Sequence, residues 1–399
     1  MEMDAESTFK NISCYAGIVE NNILYTFNNV TGQLMSYNLE NFTYEIISEF
    51  DMIWERRIRI IKIIKSGLVF YLVPQNRKCI FVYNSENGEQ QVYGNLDRDL
   101  EERQNMCDAF RYGSRILMIP ARVEESILLF NIDIKKWDKY LSISNLFKQK
   151  NIDLNKNYFV AKWYQAGNRI WSAVSGRSFI FSMNLSDMEI YIYNVQCQKI
   201  DDFYVGEKEF WITEQGSHDI FNWNCCYGLT KRYHIDSMND NKCAVEMYSC
   251  IYSSDQMIFA VSNFENRIRI IERNSGICHS LDLDEKLHKV RRLPKYLWGA
   301  FFRYKDRLVL LPLSVDKIVV INLIDSTIEL HDGEVRQKDY EKYYLKCKKE
   351  IMDNKKIIIE DKWYGLKDII AYSNQQESGI MNKEFVKNVG ATICNRIMK

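Results

Sequence analysis

Seven times along the chain a short apolar strand is followed, 14 or 15 residues later, by an apolar-Asn-apolar type of step at the end of a second strand. The first markers are Ile23, Phe70, Ile116, Ile170, Phe210, Ile258 and Leu308, and the second are Asn38, Asn84, Asn131, Asn184, Asn224, Glu272 and Asn322. Six of the seven closing residues are Asn, a coincidence that composition alone does not produce. Successive first markers lie 47, 46, 54, 40, 48 and 50 residues apart. Periods of this size belong to solenoids, arrays and propellers.

One repeat resolves into four strands. Residues 161–166 alternate around Trp163, Gly167-Asn168 makes a turn, 169–174 form a second strand, 179–185 a third and 189–193 a fourth. The middle strands are apolar on consecutive residues, as in Ile116-Leu117-Met118-Ile119 and Ile318-Val319-Val320-Ile321. Both faces of such a sheet must be covered. Small sheets stacked face to face around an axis meet that need, so the expectation is an all-β, seven-bladed β-propeller over 13–332 with a small C-terminal helical extension over 333–399. Pro74, Pro120 and Pro312 each fall four residues after a first marker, where a residue without an N–H ends a strand. The repeated Asn closes the third strand by accepting a hydrogen bond from the backbone two residues on. In the extension, Phe385, Val389, Ile393 and Ile397 form one helical stripe, used either to cover the propeller or to meet a partner.

Charge narrows the classes of function. Lys plus Arg and Asp plus Glu both number 53, so no global field draws the chain to nucleic acid or an anionic membrane. No stretch approaches 18 apolar residues, and the acidic N-terminus is unlike a secretion signal. Eleven Cys without C-x-x-C spacing suit reduced thiols and a cytoplasmic setting. Metal and nucleotide motifs are missing, so no metal, cofactor or catalytic residue is assigned. The vicinal Cys225-Cys226 reads as two strand residues pointing to opposite faces in the core.

Two constellations are candidate sites. The connections over 93–109, 142–158 and 282–297 are the long ones, and long loops on a rigid scaffold carry binding. On that face the second-to-third strand loops bear Arg77, Arg122, Arg177, His218, Arg267 and Lys317. They read either as a ring for an acidic partner or as solvated charge offset by acids such as Glu265 and Asp316 in the same loops. The innermost strands carry Lys62, Asp108, Lys162, Asp202, Glu246 and Arg303, which line the central channel either as an acid–base pair with cations or as satisfied ion pairs.

The stretches ILYTFNNVTGQLMSYNLENFTYEII, FYLVPQNRKCIFVYNSENGEQQVY and LVLLPLSVDKIVVINLIDSTIEL resemble blades of kelch-like and WD-repeat-like bacterial propellers. The Gly-Gly doublet of kelch blades and the Gly-His and Trp-Asp steps of WD repeats are not among them. The stretch WYGLKDIIAY resembles the helical tail appended to propellers of gut-dwelling anaerobic bacteria. The resemblance implies a toroidal binding platform and no catalytic residue. The leading reading is a monomeric, non-catalytic scaffold for a protein or peptide, presented on the long-loop face. The alternative is an enzyme or carbohydrate-binding protein at the channel mouth, where Trp163, Trp171, Trp211, Trp223 and Trp298 offer aromatic surface.

Overall fold

The computed structural model describes residues 14–333, except 56–57, 100–104, 139–140, 155–158, 160–162, 198, 206–208, 215–216, 218, 226, 235–247, 263–266, 284–286, 288–296 and 314. The side chains of 54–55, 95–99, 230 and 248–249 also lie outside the description. So do the C-terminal stripe at Phe385, Val389, Ile393 and Ile397 and the rest of 334–399.

The described chain forms seven antiparallel sheets, each built from consecutive strands. The first strands are Cys14–Glu20, Ile60–Ser66, Met106–Tyr112, Tyr164–Ala166, Ile200–Val205, Tyr248–Ser253 and Trp298–Tyr304. The second are Ile23–Asn28, Val69–Pro74, Arg115–Pro120, Arg169–Ala173, Phe210–Glu214, Met257–Ser262 and Arg307–Pro312. The third are Gln33–Asn38, Arg77–Asn84, Ser126–Asn131, Phe179–Asn184, Asp219–Asn224, Arg267–Glu272 and Lys317–Asn322. A fourth strand completes each blade, and in blade 3 it is broken into Lys136–Trp137 and Leu141–Ser142, both paired with Ser126–Asn131. The chain is an all-β, seven-bladed propeller.

Strand alternation explains why the blades stack into a ring. In blade 3, Ile116 and Met118 face blade 2 and pack with Tyr71, Val73 and Ile80, while Leu117 and Ile119 face blade 4 and pack with Ile170, Phe181 and Met183. The same division recurs in blade 7, where Leu308 and Leu310 meet blade 6 and Val309 and Leu311 meet Cys14, Leu24 and Tyr37 of blade 1. Apolar clusters therefore fill every blade interface, the one between the last blade and the first included, and a single cluster runs through both interfaces of blade 6.

Blades 1 and 7 meet through side chains and a close backbone approach, and among the described residues neither sheet contains a strand from the other terminus. Phe42 stacks on His331 with ring centroids 3.7 Å apart, and Tyr304 donates to Glu40 at 3.3 Å. Two glycines make this approach possible. A Cβ on Gly17 would lie 2.6 Å from the Phe302 ring, and one on Gly299 only 1.7 Å from the Cys14 carbonyl oxygen.

Pro74, Pro120 and Pro312 each end the second strand. The Asn side chains do close the third strands. Asn38, Asn84, Asn131, Asn184 and Asn322 accept from the N–H of residue i+2 at 2.9–3.2 Å. Blade 6 departs as its sequence does, with Glu272 accepting instead from the Ser275 hydroxyl at 2.6 Å.

Two expectations are corrected, and a third connection is filled in. Cys225 is exposed in the turn after Asn224, because the third strand of blade 5 ends at Asn224 and its alternation stops there. The connection expected over 93–109 is mostly strand, since the fourth strand of blade 2 runs on over Glu89–Asp99 and Met106–Tyr112 opens blade 3. The connection over 142–158 contains the short helix Ile143–Gln149, whose Ile143 and Phe147 are buried and whose first turn is capped by Ser142.

Candidate functional site

In six blades the first strand begins with a register shift against the second. The residue after the shift pairs at one equivalent position: Lys62 with Val73, Asp108 with Ile119, Asp202 with Thr213, Cys250 with Val261 and Ala300 with Leu311. A β-bulge re-aims the side chain beside it, and here it sets several residues of the channel group at one level.

Asp108 and Asp202 use their carboxylates in the same way. Asp108 accepts from the Ala109 N–H at 2.7 Å and Asp202 from the Phe203 N–H at 2.7 Å, so each caps the backbone just past the shift. Asp108 also pairs with Lys62 of the neighbouring blade at 2.8 Å, and the Lys62 ammonium lies 4.9 Å from the Phe110 ring centre. Burial raises the Asp108 carboxyl above its ordinary value, and the Lys62 charge and hydrogen bond work against that rise. Asp202 is buried and further accepts from the Tyr204 hydroxyl at 2.8 Å, while its own N–H donates to the Thr213 hydroxyl at 3.0 Å. Burial first, and then the Asp202 charge, push the Tyr164 and Tyr204 hydroxyls well above the ordinary phenol. These carboxylates hold backbone, an ammonium and a phenol in place.

Arg303 belongs elsewhere. It pairs in register with Leu308, three residues along the strand from the Ala300 level, or about 10 Å at the rise of a strand. It is exposed beside the turn that joins the first two strands of blade 7, and its Nε donates to the Lys305 carbonyl at 2.9 Å. Lys162 and Glu246 lie outside the described residues.

Arg77, Arg122, Arg177, Arg267 and Lys317 each follow the second strand of their blade, and His218 lies outside the described residues. Two of these charges are met from across the sheet and not within the loop. Arg267 pairs with Asp282 at 3.2 Å, and Lys317 pairs with Asp332. In both cases the first residue of the third strand sits opposite the last residue of the fourth. In blade 5 the same positions hold Asp219 and His234, whose Nδ1 lies 2.6 Å from the carboxylate, and Arg232 pairs with that carboxylate at 3.2 Å. Arg122 instead pairs inside its loop with Glu124 at 3.4 Å, and Arg177 donates to the Asp153 carbonyl at 3.4 Å. A 15-residue spacing between opposite charges is the signal in the sequence that would have found the cross-strand pairs.

The five tryptophans are core. Trp163, Trp171, Trp211, Trp223 and Trp298 are at most 7% exposed, and Trp211 donates to the Ser253 hydroxyl across the interface of blades 5 and 6. Sequence reasoning missed a cleft of about 380 Å³ on the face of the first-to-second and third-to-fourth turns, running from Glu209 of blade 5 past Asp255 and Arg273 of blade 6 to Asp306 and Ile324 of blade 7. No local pattern marks it, because its walls come from three blades and its acids are ordinary turn residues.

No protein-family profile matches this chain. No curated protein sequence matches it either. Among solved structures it is similar to YCF48 from Cyanidioschyzon merolae at 9% identity, with 77% of this chain and 94% of that one covered and a TM-score of 0.52. It is also similar to BamB from Moraxella catarrhalis at 9% identity, covering 77% of this chain and 85% of that chain, with a TM-score of 0.48. Likeness at such identity speaks for the fold alone.

Proposed function

We propose that the protein is a non-catalytic propeller scaffold that binds a protein or peptide. The observation that supports this reading most is the state of its polar and aromatic groups. The tryptophans that a sugar-binding channel would display are buried, and Asp108 and Asp202 are occupied with backbone, Lys62 and Tyr204. A general acid–base pair needs hydrogen-bond access to a substrate proton, and these carboxylates are committed elsewhere. A rigid ring whose faces carry turns and loops is then left to act by contact.

The long-loop face, with Arg77, Arg122, Arg177, Arg267 and Lys317, remains part of the proposal as one docking surface. Because three of its cations, Arg122, Arg267 and Lys317, have acidic partners within the blade or loop, a partner there is selected by shape more than by net charge. A kelch-like or WD-repeat-like bacterial subtype, a cytoplasmic monomer and a role without nucleic acid or membrane complete the reading. Among the described residues no helix is long and apolar enough to cross a membrane.

The test is site-specific photo-crosslinking of the full chain in the cells that make it, with the reactive residue placed in turn at exposed Ser178 on the long-loop face and exposed Ser275 on the opposite face. A covalent adduct with a polypeptide is expected from at least one face. Absence of any polypeptide adduct, together with retention of the protein on an immobilised glycan, would overturn the reading in favour of carbohydrate binding.

A further inference from the structure

The cleft on the turn face carries a charge imbalance. Its two guanidinium groups are engaged: Arg273 pairs with Glu209 and donates to the Ser254 carbonyl at 3.0 Å, and Arg303 donates to the Lys305 carbonyl at 2.9 Å with its guanidinium 5.4 Å from the Tyr252 ring centre. Glu209 accepts a further hydrogen bond from the Asn222 amide at 2.9 Å. Asp255 and Asp306 line the same cleft and are exposed, and neither carboxylate has a hydrogen-bond or ion-pair partner among the described residues. Glu209, Asp255 and Asp306 set against Arg273 and Arg303 leave the cleft with one formal negative charge, three acids to two guanidinium groups. Beside these acids Ile324 is 70% exposed, next to the buried Leu323. Ser253, Ser254 and Gln256 add hydroxyl and amide groups along one wall.

We propose that this cleft between blades 5, 6 and 7 binds a peptide segment of a partner protein carrying Lys or Arg beside an aliphatic residue. The ammonium or guanidinium is met by Asp255 and Asp306, the aliphatic side chain lies on Ile324, and the segment's backbone is served by the polar wall. A volume of about 380 Å³ exceeds the needs of one ammonium group and falls in the range of sites that hold several groups at once. The cleft's carboxylates are wet and set at the mouth, so they steer and select while the contact at Ile324 adds affinity. The inference rests on the scaffold reading and places one docking site on the face opposite the long loops.

The test is fluorescence anisotropy with the full chain and a labelled hexapeptide of alternating Lys and Leu, with the Glu/Leu counterpart as the control probe. The Lys/Leu probe is expected to bind and the Glu/Leu probe not to bind. The double variant Asp255→Asn/Asp306→Asn should weaken the Lys/Leu probe by about five- to thirtyfold and flatten its salt dependence. Ile324→Ser should weaken it at every ionic strength. Glu86→Gln removes an exposed acid from a third-to-fourth turn of blade 2 and should leave the affinity unchanged. Parent-like binding by the double variant overturns the proposal, as does equal competition by spermidine at matched charge, which would make the cleft a site for small cations. If the Lys/Leu probe fails to bind while photo-crosslinking still captures a polypeptide, the cleft assignment falls and the scaffold reading stands. If both fail and the protein is retained on the immobilised glycan, both fall.

Discussion

Substituting Gly299 by Ala tests whether the ring is closed by close backbone approach between the first blade and the last. Gly299 is the extra residue at the register shift of blade 7, between Trp298, paired with Pro312, and Ala300, paired with Leu311. The added Cβ would sit 1.7 Å from the Cys14 carbonyl oxygen and 2.8 Å from its carbon. A tolerable carbon–oxygen contact is about 3.3 Å, so the seam must open by roughly 1.5 Å. The obstacle is backbone of a paired strand and cannot rotate away as a side chain would. Overpacking of this kind costs about 1–3 kcal/mol, and a backbone obstacle places the cost at about 3 kcal/mol. For a ring of this length, with an unfolding entropy of about 2 cal/mol/K per residue, that is a fall of about 4 °C in Tm. Gly88→Ala is the matched control. Its Cβ would meet nothing within 4 Å, but its φ of +74° makes the substitution a pure backbone-strain change of about 1 kcal/mol. Differential scanning calorimetry of both variants should rank Gly299→Ala well below Gly88→Ala. Equal melting temperatures, or a Gly299→Ala protein that melts with the parent, would refute the account of the seam.

Asn131→Ala removes an acceptor from the N–H groups of Asp133 and Ile134 and should cost about 1 kcal/mol, seen as a lower urea midpoint at unchanged slope. Glu125 is half-buried beside Arg122 and Glu124, and its Oε2 has no hydrogen-bond partner among the described residues. Burial foremost pushes its carboxyl up to about 7, partly opposed by Arg122 and reinforced by Glu124. Because this folded-state value is raised, its contribution is present below the ordinary carboxylate range and lost as pH rises through about 7. The parent should therefore lose Tm relative to Glu125→Gln between pH 5 and pH 8, and an identical gap at both pH values would contradict the assignment. A double-mutant cycle on Lys62 and Asp108, one side chain about a third exposed and the other largely buried, should return a coupling of about 1–2 kcal/mol, and a coupling near zero would show the pair to be incidental.

The number of blades was legible because it is written in local terms. A third-strand Asn accepts from its own chain two residues on, and a second-strand Pro acts at its own position, so both signals survive without knowledge of the fold. The pattern of apolar residues on consecutive positions likewise states that both faces of the sheet are covered. Cys225 shows the limit: alternation places a residue only while the strand continues, and the strand ends one residue earlier.

The sequence by itself determined the repeat, the strand count per blade and the hairpin chemistry, which follow from the spacing of residues along the chain, whereas the burial of the tryptophans emerged with the structure. The tertiary structure alone decided which charges remain uncommitted and where clefts lie. Lys65 finds Glu20 across 45 residues and Lys305 finds Glu40 across 265, pairs between neighbouring blades that no local spacing marks. The seam and the cleft between blades 5, 6 and 7 exist only after the ring has closed. Electrostatic pairing and excluded volume act through space, and ring closure brings together residues that no local pattern relates.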